Sequence, residues 1–115
     1  KENRALHQFR NLRFHGSESE QILFFSKATE SHDNVLLVAV LLDPWHPHSG
    51  RVQVPLELLG CAEDEAYQVH DLLTEERYLW TGRTNYVELD PHHRVAHVFR
   101  VRRKAPRETD FENYV

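Results

Sequence analysis

The sequence predicts an all-β protein, an antiparallel, Greek-key-like β-sandwich of about eight strands with a short N-terminal helix. The length of 115 residues suits a single domain with a real core. Short runs of strand-forming residues recur roughly every 8–12 residues and are separated by turn-forming residues, as in sandwiches and barrels. Several runs alternate apolar and polar side chains, which is typical of strands that place one face in a core.

The first half of the chain contains the helix and four predicted strands. Residues Glu2 to Arg10 place Leu6 and Phe9 at helical spacing, which predicts the helix. Eight consecutive apolar residues follow a turn cluster and predict a fully buried central strand. The strands are predicted over residues 12–15, 21–28, 35–42 and 51–56.

The second half begins with a polar connection over residues 57–66, for which we expect one helical turn at most. Four further strands are predicted over residues 67–73, 77–80, 85–89 and 95–103. The first two of these are separated by the short break "TEE" and predict a hairpin. The last strand ends in basic residues, so we expect an edge strand that is partly protected against open pairing.

Composition excludes several classes of protein. The formal charge of -4 provides no basic field for nucleic acid or an anionic membrane, so neither is expected as a partner. The longest apolar run is far below the ~18 residues that a membrane helix needs. The single cysteine, Cys61, excludes an internal disulfide and fits a reducing compartment, so the expected location is cytoplasmic. Cys61 is interpreted as a small apolar filler.

The chain contains no methionine and opens "KENRALHQFRN", which suggests a piece of a longer protein. We expect residues 1–10 to be a linker or the end of a preceding helix. Residues 11–104 would form the sandwich, and residues 105–115 a polar tail.

The segment "LLDPWHPHSG" (41–50) is predicted to form a rigid turn after the central strand. Its prolines fix φ and stop strand pairing, and Asp43 can accept hydrogen bonds from turn amides. His46 and His48 form an H-x-H pair, but zinc needs three or four converging ligands. We therefore expect solvated loop histidines, no metal and no cofactor.

Exposed aromatic rings are the strongest binding signal. Trp45, Tyr86 and Trp80 lie in or beside turns and are candidate carbohydrate-binding residues, because aromatic faces stack on sugar rings. Alternatively, Trp80 and Tyr86 pack in the core or between sheets. No catalytic residues are expected: Ser49-Gly50 lacks the preceding glycine of a nucleophile elbow.

The segment "YQVHDLLTEERYLWTGRTNYVELDP" (67–91) resembles the C-terminal region of bacterial α-1,4-glucan:maltose-1-phosphate maltosyltransferases, in the α-amylase superfamily (glycoside hydrolase family 13). The similarity extends along the chain, through "NLRFHGSESEQILFFSKAT" (11–29), "NVLLVAVLLDPWHPHSGRVQVPLELLG" (34–60), "AHVFRVRR" (96–103) and "RETDFENYV" (107–115). Leu41, Glu75 and Arg4 depart from the family, Glu75 at a turn position where glycine is usual. A trehalose synthase or branching-type parent stays an alternative.

The resemblance implies a division of labour within a longer enzyme. Retaining transfer in this superfamily needs two carboxylates on a (β/α)8 barrel, and a barrel needs about 250 residues. The chain would therefore be the non-catalytic C-terminal sandwich, packed on the barrel and stabilising it. Two alternatives are a module that binds α-glucan through exposed aromatics, Trp45 first, and a surface for dimerisation or another protein.

Overall fold

The computed structural model describes residues 10–28 and 34–102. The predicted N-terminal helix lies outside these residues, except that Arg10 opens the first strand. The predicted tail over residues 105–115 also lies outside the described part of the chain.

Eight strands and one short helix make up the described fold, which confirms the all-β prediction. Every strand pairing is antiparallel. The strands are β1 (Arg10–His15), β2 (Ile22–Ala28), β3 (Asn34–Leu41), β4 (His48–Gln53), β5 (Ala66–Asp71), β6 (Arg77–Thr81), β7 (Thr84–Leu89) and β8 (Ala96–Arg102), with helix α1 (Leu56–Leu59) after β4.

The strands form two sheets of unequal width. The larger sheet has the order β1-β2-β3-β8-β5-β6, and the smaller sheet pairs β4 with β7. Strands β5 and β6 form a hairpin, the chain crosses to β7, and β8 returns beside β5, which is a Greek key shared between sheets. The expectation that residues 95–103 form an edge strand is wrong, because β8 pairs with β3 on one side and β5 on the other.

Strand β3 is central, but only one of its faces is buried throughout. Val35, Leu37 and Ala39 point into the core and are fully buried. Val38 and Val40, on the opposite face, are half-buried. The prediction of a fully buried strand is therefore wrong for Val38 and Val40, whereas Leu36, on the same outer face, is buried.

The core lies between the inner face of the large sheet and the small sheet. Phe24, Leu37 and Phe99 are among its largest fully buried side chains, and Cys61 packs against this cluster as predicted. Gly50 permits the chain after β1 to approach β4, since a Cβ there would lie 3.3 Å from the Glu18 Cβ.

The predicted strand over residues 51–56 is shifted in the structure. Strand β4 begins at His48 and ends at Gln53, and Pro55, which has no N–H to donate, precedes α1. The helix is a single turn, as predicted, and ends at Gly60 with φ of 72°. Within residues 10–28 and 34–102, no helix is long and apolar enough to cross a membrane.

Truncation of Leu37 should identify the core directly. Leu37 is fully buried opposite Ser26 and Phe99, so Leu37→Ala should lower the free energy of unfolding by about 2–5 kcal/mol. The matched change Leu79→Ala, at a side chain that is 73% exposed, should cost less than about 0.5 kcal/mol. Urea denaturation of both variants measures the difference, and equal losses would contradict the assigned core.

Candidate functional site

The loop between β3 and β4 is organised by one carboxylate. Asp43 Oδ1 accepts hydrogen bonds from the backbone N–H groups of Trp45 (2.8 Å) and His46 (3.2 Å). Asp43 Oδ2 accepts from His48 Nε2 at 2.8 Å and lies 3.2 Å from His46 Nδ1. These bonds, above all those from His48 and the Trp45 amide, hold the pKa of Asp43 well below its usual range. The prediction that Asp43 accepts hydrogen bonds from turn amides is confirmed.

The two histidines of this loop contact Asp43. Both face the same carboxylate, and His48 opens β4 instead of lying in the loop as expected. In the part of the chain that the structure describes, no group of three or more His, Cys, Asp or Glu side chains is arranged to hold a metal ion.

Trp45 is presented to solvent by this turn, with 76% of its surface exposed. The same loop leads into a cavity of about 570 Å³ whose far wall is formed by the end of β7 and the turn after it. The residues that line it are Pro47, His48, Ser49, Glu88, Leu89, Asp90, His93 and Arg94.

A second, more aromatic cavity of about 270 Å³ lies where β7 meets the inner face of β6 and β8. Its lining residues are Tyr78, Trp80, Tyr86, Val87, Glu88, Arg94, His97 and Phe99. Because Glu88 and Arg94 belong to the walls of both cavities, the two are neighbours along one depression. We call the pair of cavities the aromatic groove.

The three predicted carbohydrate-binding residues occupy different environments. Tyr86 is 55% exposed and lies at the rim of the groove, while Trp80 is only 9% exposed. The Trp80 ring packs edge-on against Phe99, with centroids 4.9 Å apart. The structure thus brings Tyr86 and Trp80 together, whereas Trp45 lies in the neighbouring loop and outside the lining of either cavity.

A buried carboxylate, that of Asp71, fixes the orientation of His97 in the wall of the aromatic groove. His97 Nδ1 lies 2.7 Å from Asp71 Oδ2, and both side chains are buried. A carboxylate can only accept, so Nδ1 carries the proton and, in the neutral ring, Nε2 is left as an acceptor. His97 also stacks on Phe99, with centroids 4.7 Å apart.

Asp71 is ionised in this setting. Burial alone would raise the pKa of Asp71, but the hydrogen bonds from His97 and from the Leu73 and Val98 amides outweigh it and lower the pKa. The Leu73 N–H donates to Asp71 Oδ1 at 3.0 Å. The carboxylate is therefore held by donors on both of its oxygens.

The remaining polar groups of the groove are partly exposed. Arg94 Nη2 lies 3.7 Å from Glu76 Oε1, and the Tyr86 hydroxyl donates to Glu88 Oε2 at 3.3 Å. The groove thus combines a cationic donor, a carboxylate acceptor, an imidazole and several aromatic rings. Such a set suits a neutral ligand rich in hydroxyl groups, which both donates and accepts hydrogen bonds.

Sequence reasoning missed Asp71, His97, Glu88 and Arg94 as members of this site. The alternation of β8 places His97 on the face of Phe99 and Val101, which is a usable signal. The partner Asp71 is 26 residues away in the chain, so only the pairing of β5 with β8 reveals it.

Comparison with known proteins connects the chain to one family. Residues 14–101 match the family model described as "GLGE, C-terminal". The chain is 40% identical over 110 residues to α-1,4-glucan:maltose-1-phosphate maltosyltransferase from Myxococcus xanthus, covering 96% of this chain and 16% of that protein. It is 43% identical over 103 residues to maltosyltransferase 1 from Streptomyces coelicolor, covering 90% of this chain and 15% of that protein. The chain thus spans about a sixth of the length of these relatives.

Among solved structures, the fold is similar to part of a GH27 β-L-arabinopyranosidase from Geobacillus stearothermophilus. The TM-score is 0.54 at 16% sequence identity, and the match covers 80% of this chain and 20% of that one. At this identity the likeness concerns the fold alone.

The Asp71–His97 pair predicts a pH-dependent loss of stability. Asp71→Asn should lower the free energy of unfolding at neutral pH by about 1.5–3 kcal/mol, because the single oxygen of Asn cannot accept from both His97 and Leu73, and the remaining hydrogen bond loses its charge. The folded pKa of Asp71 lies below the ordinary 3.8, so its contribution is complete above 3.8 and is lost as the pH falls through the folded pKa. Urea denaturation of both proteins from neutral to strongly acidic pH measures the difference.

The control for this experiment is Asp64→Asn, at an exposed position in the connection before β5. We expect this variant to follow the wild-type curve at every pH. If the difference in the free energy of unfolding between wild type and Asp71→Asn grows as the pH is lowered, Asp71 is not ionised in the folded protein.

Proposed function

The chain belongs to the family described as "GLGE, C-terminal", and from this premise we propose that it is a non-catalytic accessory domain of an α-amylase-superfamily enzyme of α-glucan metabolism. In this role it packs on the catalytic barrel of a maltosyltransferase and stabilises it. The relatives at 40–43% identity are named as maltosyltransferases. The reacting carboxylates belong to the remainder of such a chain, and the location is the cytoplasm.

The observation that carries this proposal is an apolar area on the outer face of the large sheet. Phe14 on β1 is 63% exposed and Leu23 on β2 is 37% exposed. The register places Phe14 beside Phe25, and Leu23 beside Val40 on β3. The Phe14 and Phe25 rings also touch, with centroids 5.7 Å apart. We call this area, which continues through Val38 to Val98 and Ala96 on β8, the outer apolar face.

An apolar face of this kind is costly in water. Burial of apolar surface contributes about 25 cal/mol per Å², and monomeric proteins rarely leave large contiguous apolar areas uncovered. A sandwich sheet normally alternates core-facing apolar with solvent-facing polar residues, which β2 and β3 do not do. The chain spans 15–16% of the two relatives' lengths. In a longer chain of this kind, the catalytic barrel would pack against the outer apolar face and bury it.

The proposed domain extends over residues 11–104, with residues 1–10 as the lead from the preceding barrel helix and 105–115 as a tail. The similarity supports this division, because the matched residues 14–101 fall inside it.

The accessory role predicts a context-dependent effect of mutation. Phe14→Ser with Leu23→Ser should change the unfolding free energy of the 115-residue chain by less than about 1 kcal/mol, because both side chains are exposed there. In the longer maltosyltransferase chain the same pair should lower the melting temperature by several degrees. Differential scanning calorimetry of both lengths makes the comparison.

Leu73→Ser is the matched control, because Leu73 is 61% exposed in the β5–β6 turn, away from the outer apolar face. It should be neutral in both lengths of chain. If the double variant is also neutral in the longer chain, the barrel does not dock on this face.

The aromatic groove favours a second candidate function, the binding of α-glucan. Tyr86 offers an exposed ring at the rim, Trp80 contributes to the wall, and Glu88 and Arg94 supply hydrogen-bonding groups along the depression. The neighbouring cavity leads toward Trp45 and extends the depression beyond a single sugar ring. Binding here would hold glucan beside the enzyme without any catalytic role for this chain.

Titration with maltoheptaose tests this second function. Chemical shifts of backbone amides around Tyr86 and Trp45 should saturate in the millimolar range. Tyr86→Ala should weaken binding about tenfold, since loss of a stacking ring costs about 1–1.5 kcal/mol. Leu79→Ala, at a more exposed position on the opposite face of the large sheet, should bind as wild type does. The absence of saturable shifts would reject glucan binding and leave the accessory role untouched.

A further inference from the structure

A row of basic side chains crosses the outer face of the large sheet, apart from the aromatic groove. Five positions, one on each of β2, β3, β8, β5 and β6, lie side by side across the sheet. In the order of the strands they are Lys27, Leu36, Arg100, His70 and Arg77. All five positions point to the same face. We call Arg100, His70 and Arg77, on three adjacent strands, the basic row.

The two arginines of the basic row lie close together on the same face. Arg77 and Arg100 flank His70, so their strands are about 9.6 Å apart, a distance at which like charges still repel. Among residues 10–28 and 34–102, no carboxylate forms an ion pair with Arg77 or Arg100. The protein as a whole is negatively charged, at -4, so this local excess of positive charge is not part of a general basic surface.

His70, in the middle of the basic row, carries a second sign of a missing partner. Its side chain is 11% exposed, and its Nε2 lies 2.9 Å from Glu75 Oε1. Its Nδ1 is buried and has no hydrogen-bond partner, the only such side-chain atom among the described residues. A buried polar atom without a partner has lost its hydrogen bond to water without a replacement, which destabilises the fold unless a ligand supplies one.

The basic row borders a cavity of about 460 Å³, which is within the size range of small-ligand pockets. It is lined by Cys61, Ala66, Tyr67, Gln68, His70, Arg77 and Arg100. Two guanidinium groups and one imidazole thus approach a single space from three strands. Gln68, two residues before His70 on β5, adds a neutral amide to the same wall.

We propose that this cavity is an anion site that binds a phosphate group, either free or as a phosphate monoester. A tetrahedral phosphate offers oxygens in several directions and can meet donors that come from three strands, whereas a carboxylate has only two oxygens. Guanidinium groups bind phosphate oxygens with two parallel hydrogen bonds. The imidazole Nδ1 is satisfied as well, since it donates when protonated and accepts from a protonated phosphate otherwise.

The anion site is separate from the surfaces proposed for docking and for glucan binding, because none of its lining residues belongs to the outer apolar face or the aromatic groove. The cavity volume leaves room for a sugar beside the phosphate, so both sources of the group are to be compared. Inorganic phosphate and glucose 1-phosphate are the two probes, and sodium chloride at equal ionic strength controls for screening.

The experiment is a titration of the 115-residue chain followed by the imidazole nitrogen resonances of His70. Both phosphate probes should shift these resonances with saturation, and sodium chloride should not. Arg77→Gln and Arg100→Gln should each weaken binding at least tenfold, because each removes a charged pair of hydrogen bonds. Tighter binding of glucose 1-phosphate than of phosphate would assign a sugar phosphate, and equal binding a free phosphate.

Arg51→Gln is the matched control, since Arg51 is an exposed arginine on β4 in the small sheet. The Arg51→Gln variant should bind both phosphate probes with the affinity of the wild-type chain. The proposal is overturned if neither probe shifts His70 with saturation, or if the Arg77→Gln and Arg100→Gln variants, shown to be folded by circular dichroism, bind as tightly as wild type.

Discussion

The architecture depends on one constraint, the difference in width between its two sheets. Six strands span about 24 Å between the outermost strands, whereas two strands span about 5 Å. The small sheet therefore cannot cover the inner face of the large one. Helix α1 contributes Leu56 and Leu59 to the cover, and aromatic side chains on β6 and β8 close part of the remainder against one another. The aromatic groove is the portion that stays open beside β7. It therefore results from the same difference in sheet width that shapes the core.

Strand alternation then separates the surfaces that the chain can use. On β8, His97 and Phe99 face the groove side, and Val98 and Arg100 face outward. The outer face is itself divided. The outer apolar face occupies β1, β2, β3 and the first half of β8, and the basic row occupies Arg100 on β8 together with β5 and β6. Leu36 lies between Lys27 and Arg100 and is buried, although it points outward. Long basic side chains cover apolar surface with their stems in this way.

The sequence predicted the strands well because their signal is local, and the arrangement of the strands poorly because it is not. Eight strands follow from alternation and turn residues, and Asp43 could be assigned to its turn because the amides it binds are two and three residues away. The interior position of β8 and the Asp71–His97 pair depend on long-range register, which no local pattern encodes. The turn at Glu75 was only partly predictable from the sequence. Its φ of 67° explains why glycine suits this turn, and its contact with His70 shows what the larger side chain adds.

The placement of these surfaces determines which functions can operate together. A barrel docked on the outer apolar face would leave the groove open, because Trp80 and His97 point to the opposite side of the same sheet. Glucan binding and docking are therefore compatible on geometric grounds. The basic row, in contrast, shares a face with the docking area, and Arg100 is only two residues along β8 from Val98. A phosphate bound there would alter the charge at the rim of the interface, and any effect on docking would be reciprocal, since coupled binding free energies act equally in both directions.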